Sequence, residues 1–174
     1  MKILAFESSA KAASTALLSD GLLLAEYTQN SGQTHSRTLM QMAKDMLTSC
    51  DLTPQDVGAV AVAAGPGSFT GVRIGISTAK GLARGANVPL LGVSTLDACA
   101  WTAWKAGVRG KLGILADAMR GEVYPALYML GDEGPERQFE REHVVKAAVA
   151  LDEWRRAADW DQVQLTGDGL VRYG

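Results

Sequence analysis

The sequence predicts an α/β protein of two lobes, and three observations carry this prediction. Short apolar runs open the chain at the spacing of strands, after which the hydrophobic period becomes that of helices. A glycine-rich segment, Gly65 to Ala83, joins a charge-free run to a second helical pattern. A further helix start near residue 94 precedes two strands that repeat the opening hairpin. We therefore expect lobes at residues 1–93 and 94–174, with a core that a 47% apolar composition can fill.

The first lobe is expected to have the order βββαβαβ. Its second and third strands are separated by Ser19-Asp20-Gly21, a turn sequence typical of hairpins. The run VGAVAVAA ahead of the glycine-rich segment carries no charge, which predicts a buried strand. The predicted strands are Lys2 to Phe6, Ser14 to Leu18, Leu22 to Tyr27, Val57 to Ala64 and Leu90 to Val93, and the predicted helices are Ser36 to Cys50 and Thr70 to Gly85.

The second lobe is expected to begin with a helix, because Ser94 is a good N-cap residue and the acidic Asp97 follows three positions later. This helix is predicted to end at Gly107. The remaining predicted elements are strands at Lys111 to Asp117 and Glu122 to Leu130, a solvated loop at Gly131 to Arg141, and a final helix and strand packed by Trp154 and Trp160.

Composition argues against several kinds of function. The chain has 17 basic and 19 acidic residues, and a formal net charge of -2 argues against RNA binding by this chain unaided. The start MKILAF is strand-like and shows no apolar leader, so secretion and membrane insertion are disfavoured and the cytoplasm is expected. Cys50 and Cys99 lack CxxC spacing and are expected to be small buried side chains.

The glycine-rich turn is the first candidate site. Gly65, Gly67 and Gly71 permit positive φ and close approach of another backbone, and Pro66 ends the strand. Such a turn ahead of a helix can present amide N–H groups to an anion, with Arg73 adding a positive charge. The Walker pattern fails because no Gly-Lys-Ser/Thr follows, and the dinucleotide pattern fails because the glycines are spaced GxGxxxG. From the residues alone, a structural tight turn is favoured over a phosphate cradle.

Three segments, ILAFESS, GPGSFTGVRIGISTAKGLA and DAMRGEVY, together resemble the TsaB family of bacterial proteins, which take part in making threonylcarbamoyladenosine on transfer RNA. The resemblance spans most of the chain. It implies an actin-like fold, shared with Hsp70 and sugar kinases, whose lobes are ribonuclease-H-like. It also implies a cytoplasmic protein without catalysis of its own. Because the family usually continues for several dozen residues more, the second lobe is expected to be incomplete at Gly174.

The same resemblance implies the partners. A TsaB-like protein binds TsaD, a catalytic paralogue that uses threonylcarbamoyl-adenylate, and a TsaE-type ATPase joins the pair. Transfer RNA is then contacted only through the complex, beside the anticodon, and the isolated chain is expected to form a homodimer. No cofactor is expected to be required, although the fold leaves a weak nucleotide site open.

Polar side chains at predicted strand ends and turns could together form that weak nucleotide or anion site. They are Glu7, Ser8, Ser68, Arg73 and Asp117. The favoured alternative is a capped turn for Glu7 and Ser8, and for Asp117 a carboxylate that caps the Met119 to Gly121 hairpin. The family usually has aspartate in place of Glu7 and arginine in place of Met119, which weakens an inherited metal or nucleotide role.

Two enzyme readings compete with the non-catalytic one. An ATP-dependent phosphotransferase of the same fold would rely on this site, and a glycoprotein-directed peptidase would need a serine with a positioned base, which the sequence does not identify. The catalytic paralogue has two metal-binding histidines one turn apart, at positions matching the region of His35 and Leu39. Only His35 is an imidazole here, and His143 has no ligand spacing to it, so neither a metal site nor a catalytic residue is expected.

The predicted helices offer a candidate interface. In the second helix, Val72, Ile76, Ala79 and Ala83 form a stripe that can cover the sheet. An adjoining stripe of small residues would let a partner helix approach closely. Packing of both helices within the lobe is the alternative, and the resemblance favours the interface. The interface candidates are Leu39, Met42 and Met46 in the first helix and Gly71, Gly75, Thr78 and Leu82 in the second. On this hypothesis Gly75→Leu abolishes assembly and leaves the fold intact.

Overall fold

The computed structural model describes residues 1–31, 35–140, 144–157 and 162–173. The chain divides into two compact units, Met1–Ser94 and Thr95–Gly174, called unit 1 and unit 2. Each unit contains one five-stranded sheet together with helices. The division lies one residue after the boundary at 93/94 expected from the sequence, and the mixed α/β class is confirmed.

Unit 1 has the predicted order βββαβαβ, with a 3₁₀ turn at Pro54–Asp56 added before the fourth strand. Its sheet has the order β3-β2-β1-β4-β5, in which the first three strands are antiparallel and β4 and β5 continue parallel to β1. Element ends differ from the predicted ones by two residues at most. The elements are β1 Lys2–Glu7, β2 Ala13–Ser19, β3 Leu22–Gln29, α1 His35–Ser49, β4 Ala59–Gly65, α2 Phe69–Ala86 and β5 Leu90–Ser94.

The core of unit 1 lies between the sheet and its two helices. Alternate residues of the central strands, such as Leu4 and Val60, face apolar residues of α1 and α2. Leu39, Met42 and Met46 all belong to this buried set. The helical spacing of these residues is therefore a core stripe, and the prediction that they form a partner surface is wrong.

Helix α2 begins and ends with well-defined caps. Ser68 is the N-cap, and its hydroxyl oxygen accepts a hydrogen bond from the Gly71 N–H at 3.2 Å. The helix ends at Asn87, whose φ of 56° is left-handed and whose N–H bonds the last carbonyls. An N-cap serine stabilises a helix by about 1 kcal/mol. The cap at Ser68 fixes the start of the helix one residue earlier than the sequence pattern predicts.

Unit 2 is built around the antiparallel pair β6 and β7. Its sheet has the order β10-β6-β7-β8, with β9 also pairing with β7 and β10 parallel to β6. The elements are α3 Thr95–Lys105, β6 Gly110–Met119, β7 Glu122–Leu130, β8 Pro135–Glu140, β9 Val145–Lys146, α4 Ala147–Ala157, β10 Gln164–Thr166 and α5 Asp168–Tyr173.

The segment after β7 differs from its prediction. It was expected to be a solvated loop, but residues 135–140 form strand β8, an antiparallel partner of β7. Exposed Glu136 and Gln138 alternate here with the partly buried Arg137 and Phe139, and Phe139 packs against the core. Pro135 stands at the first strand position, where a missing N–H is tolerated. Because the segment is polar overall, its sequence did not predict this edge strand.

Two apolar clusters fill unit 2. One lies under α3 and includes Leu96, Ala100 and Tyr128. The other lies under α4 and contains Trp154, which is 1% exposed and packs closely on Gly113. The predicted final helix and strand are confirmed for Trp154, whereas Trp160, His143 and Gly174 lie outside the described residues.

Candidate functional site

The turn between β1 and β2, residues 8–12, is fastened to the start of α2. The Ser8 side chain is 2% exposed, and its hydroxyl donates to the Gly71 carbonyl oxygen at 2.9 Å. The Ser68 N–H donates to the Ser9 carbonyl oxygen at 2.7 Å. Two hydrogen bonds between segments far apart in sequence therefore hold this turn against the first turn of the helix.

Glycines on α2 make this contact sterically feasible. A Cβ atom on Gly71 would lie 2.0 Å from the Ser8 carbonyl oxygen, and one on Gly75 would lie 2.5 Å from the Ser8 hydroxyl oxygen. A Cβ on Gly67 would lie 2.6 Å from the Ser9 Cβ. Residues without side chains are required at all three positions, because nothing larger leaves room for the turn.

This contact corrects the predicted interface stripe. Gly71, Gly75 and Leu82 are buried within unit 1, and only Thr78 of the predicted α2 positions is partly exposed. The small-residue stripe therefore accommodates the protein's own β1–β2 turn, and no partner helix can approach it. By the same reasoning, Gly75→Leu would overpack unit 1 and not leave the fold intact.

The residues predicted for an anion site already have partners in unit 1. The Ser8 hydroxyl is buried and donates to α2, and the Ser68 hydroxyl oxygen caps that helix. The Glu7 carboxylate accepts a hydrogen bond from the Ser9 N–H. The Ser8 hydroxyl is therefore turned into the protein, and the Glu7 carboxylate is bonded within the turn itself. The capped turn expected as the alternative is what the geometry shows.

Asp117, the remaining member of that predicted site, lies in unit 2 at the end of β6. Its side chain is 10% exposed and accepts hydrogen bonds from the Met119 N–H at 2.8 Å, Arg172 at 2.7 Å and the Tyr173 hydroxyl at 3.0 Å. Burial raises the pKa of Asp117, but these hydrogen bonds outweigh it, so the pKa lies below the ordinary value of 3.8. The predicted capping role in the hairpin is confirmed, and the ion pair with Arg172 adds to it.

The hairpin that Asp117 caps has an unusual backbone. Met119, Arg120 and Gly121 have φ values of 67°, 58° and 83°, all in the left-handed region. The Gly121 N–H donates to the Tyr173 hydroxyl at 3.1 Å, and Arg172 lies 3.1 Å from the Met119 sulfur. Helix α5 therefore holds the turn from two sides. Met119 contacts the same arginine that pairs with Asp117.

An exposed groove lies along α2 beside the face that carries the buried glycines. Phe69 is 69% exposed, and the guanidinium carbon of Arg73 lies 3.8 Å from the centre of its ring. The groove has a volume of about 420 Å³ and is open to solvent. It is lined by Ser36, Phe69, Thr70, Arg73, Ile74, Ser77 and Thr78.

Of the residues that line this groove, Arg73 and Thr78 alone were predicted to belong to a site, and Arg73 was predicted for a different role. The missed signal is the helical spacing of positions 69, 70, 73, 74 and 77, which forms a third stripe that adjoins the small-residue stripe at Thr78. A phenylalanine directly after an N-cap, outside both apolar stripes, is a further sign of a surface aromatic residue.

Neither of the chain's two histidines has a described side chain. His35 is the first residue of α1, and its side chain is not described, while His143 lies outside the described residues. Among the described residues, no three His, Cys, Asp or Glu side chains lie close enough to hold a metal ion. In the same part of the chain, no helix has the length and apolar character needed to cross a membrane.

The two units, each with one mixed sheet and flanking helices, define a protein of the actin-like fold class. Residues 23–158 match the model of the family described as TsaD, tRNA N6-adenosine threonylcarbamoyltransferase. The chain is 37% identical over 161 residues to the tRNA threonylcarbamoyladenosine biosynthesis protein TsaB of Escherichia coli K12, covering 92% of this chain and 69% of that protein. The chain belongs to the TsaB family.

Two further comparisons agree. The TsaB protein of Bacillus subtilis 168 is 40% identical over 128 residues, which cover 74% of this chain and 55% of that protein. The solved structure of YeaZ from Pseudomonas aeruginosa superposes with a TM-score of 0.73 at 33% identity, covering 83% of this chain and 66% of that one. The chain thus spans between about half and two thirds of the length of these two relatives.

Proposed function

We propose that this chain is a non-catalytic subunit required for threonylcarbamoyladenosine modification of transfer RNA beside the anticodon. Its role is to bind and support a TsaD-type catalytic subunit. The names of its relatives place them in the biosynthesis of this nucleoside. The exposed groove on α2 is the observation that carries the proposed binding role.

The groove has the chemistry of a protein interface. Phe69 offers an apolar ring with little contact of its own, and Arg73 holds that ring through a cation–π contact. Exposed aromatic residues and arginine are the side chains that contribute most to protein binding. Ile74 and Thr78 extend this surface along the same helix face, and Ser36 at the start of α1 forms its border.

The occupant proposed for this groove is the corresponding helix pair of the TsaD-type subunit. Residues 23–158 match the family model of that enzyme, so the enzyme contains a segment homologous to the one that carries α1 and α2 here. Homologous surfaces can pair about a pseudo-twofold axis in the way that identical surfaces pair in a symmetric dimer. A second copy of this chain would compete for the same surface, which is the basis for the proposed homodimer of the isolated protein.

The proposed lack of catalytic activity is supported by the hydrogen bonds that two serine hydroxyls make within the protein. Ser8 and Ser68 are engaged in holding α2, and neither has a positioned base among its hydrogen-bond partners. The phosphotransferase alternative needs these groups for phosphate, so no observation favours it. We further propose that a TsaE-type ATPase joins the complex and that transfer RNA is bound only through it, since the net charge of -2 gives little attraction for phosphate.

The proposal is tested in cells by depleting the protein, or by introducing point substitutions into its chromosomal gene, and then analysing the nucleosides of transfer RNA. Depletion of the protein is expected to remove threonylcarbamoyladenosine although the TsaD-type enzyme is present. Phe69→Asp is expected to give the same loss, because it places a charge where the partner's apolar surface would lie. Lys80→Asp is the matched control, since Lys80 is exposed on α2 outside the groove, and the modification should remain at the wild-type level.

Two results would contradict the proposal in different ways. Normal modification after depletion would remove the assignment to this biosynthesis. Normal modification with Phe69→Asp, after loss on depletion, would keep the assignment and remove the groove as the partner surface.

A further inference from the structure

The position of Phe69 is set by the backbone around it. Its ring is 69% exposed, and the contact it makes with Arg73 comes from its own helix. Both backbone polar groups of the preceding residue, Ser68, are hydrogen bonded. Its N–H donates to the Ser9 carbonyl at 2.7 Å, and its carbonyl accepts from the Val72 N–H at 2.8 Å. The β1–β2 turn therefore determines where the ring projects into the groove.

Ser8 is the side chain that fixes this turn on the helix. Its hydroxyl is buried and donates to the Gly71 carbonyl, in the first turn of α2 and two residues from Arg73. Ser8 lies in direct contact with the helix at Gly71 and Gly75, where an added Cβ would collide with it. Removal of the hydroxyl leaves the space beside Gly75 unfilled and frees the first turn of α2 to shift.

We propose that Ser8 is a positioning residue that presets Phe69 and Arg73 for binding of the TsaD-type subunit. This inference rests on the proposed function of the groove. An anchor that is already in its bound position loses less conformational freedom on binding, so its affinity is higher. The buried Ser8 hydroxyl thereby acts on the partner through the helix start and makes no contact with the partner itself.

The test is the affinity of the purified protein for the TsaD-type enzyme of the same organism, measured by isothermal titration calorimetry. Ser8→Ala is expected to weaken binding by about tenfold. The control is Thr15→Val, which removes another buried hydroxyl of unit 1, one that donates to the Met46 sulfur of α1 at 3.9 Å. This control should bind like the wild type, even where its melting temperature falls by a similar amount.

A double-mutant cycle separates positioning from general destabilisation. If Ser8 acts through the aromatic anchor, Ser8→Ala should add little further loss of affinity in a Phe69→Ala background. Should Ser8→Ala fail to give a cooperative melting curve, Ser8→Cys, which keeps a side chain of similar size and a weak donor, replaces it in the same cycle.

The outcomes are distinguishable. Unchanged affinity in the Ser8 variant, or the same loss in both backgrounds, overturns the positioning role while the wild type still binds. If the wild type itself does not bind the enzyme, the proposed function fails and the positioning role falls with it.

Discussion

The first hairpin of unit 1 and the hairpin that opens the sheet of unit 2 are each fastened to a helix, but by different chemistry. In unit 1, the β1–β2 turn lies against glycines of α2 and is joined to it by neutral hydrogen bonds. In unit 2, the β6–β7 turn is joined to α5 by the Asp117 carboxylate, which bonds Arg172 and Tyr173.

The difference shows what each attachment depends on. The contact in unit 1 depends on the absence of side chains, so it is sensitive to size and carries no titrating group in its hydrogen bonds to α2. The contact in unit 2 depends on a charged carboxylate, so it is sensitive to charge and pH. Substitutions in the two turns should therefore produce different kinds of defect.

The largest effect is expected from Gly71→Ala. Its Cβ would lie 2.0 Å from a backbone oxygen of Ser8, which cannot move as the end of a flexible side chain could. We expect a loss of at least about 3 kcal/mol in the free energy of unfolding, enough to prevent stable folding of unit 1. Thermal unfolding followed by far-UV circular dichroism measures this loss.

Gly81→Ala is the matched control for this prediction. Gly81 lies in the same helix, and a Cβ there would meet no atom within 4 Å. The substitution should stabilise α2 by about 0.5–1 kcal/mol, because alanine has the higher helix propensity. Equal destabilisation by both substitutions would show that helix geometry, and not contact with the β1–β2 turn, is the cause.

An intermediate effect is expected from Asp117→Asn. The amide keeps the shape of the side chain but loses the charge that attracts Arg172. Its NH₂ group can only donate, so it cannot accept a hydrogen bond as the second carboxylate oxygen does. We expect a loss of about 2 kcal/mol in the stability of unit 2, measured by denaturant unfolding.

The control for the charge substitution is Asp152→Asn. Asp152 and Arg155 form an exposed pair at 4.0 Å, and such pairs contribute little to stability. A measured effect of the same size at both sites would contradict a special role for the Asp117 network.

The smallest effect is the pH dependence of the same network. Because the pKa of folded Asp117 lies below its ordinary value of 3.8, the unfolded chain binds the proton more readily. The stabilisation is present above pH 3.8 and is lost as the pH falls through the lower folded pKa. The difference in stability between wild type and Asp117→Asn should therefore shrink in acid, as measured by unfolding at a series of pH values.

A carboxylate of unit 1 provides the comparison. The pKa of Asp56 is also lowered, by hydrogen bonds from the Thr53 N–H and hydroxyl, but this group is exposed and lies away from the β1–β2 turn. Asp56→Asn should leave the acid response of the Asp117 network unchanged. A difference between wild type and Asp117→Asn that stays constant down to pH 2 would contradict the charged attachment.

Local patterns in the sequence predicted most of the fold. Hydrophobic periodicity and turn residues predicted the first three strands and both helices of unit 1. These elements could be predicted because their periodicity and turns are set by residues close together in sequence. Strand β8 was missed because four of its six side chains are polar or charged, as is common at a sheet edge, and no apolar alternation marks it as a strand.

The site was harder to predict, because its contacts join distant residues. Helical spacing identified two small or apolar stripes on α2, but it could not show that both face inward until the turn containing Ser8 was placed against Gly71, 63 residues away. The Asp117 pair with Arg172 spans 55 residues and leaves no local pattern. The resemblance to a family led to the proposed partner, and the exposed groove on α2 is the surface proposed for it.

The packing of Trp154 against Gly113 has a spectroscopic consequence. All four tryptophans of the chain follow residue 94, so tryptophan emission observes unit 2 alone, and the buried ring of Trp154 makes that emission sensitive to unfolding there. Ellipticity, in contrast, sums the helices of both units. A substituted protein that loses ellipticity while its emission keeps the native wavelength has therefore lost unit 1 and kept unit 2, which reveals whether the two units unfold as one cooperative body or as two.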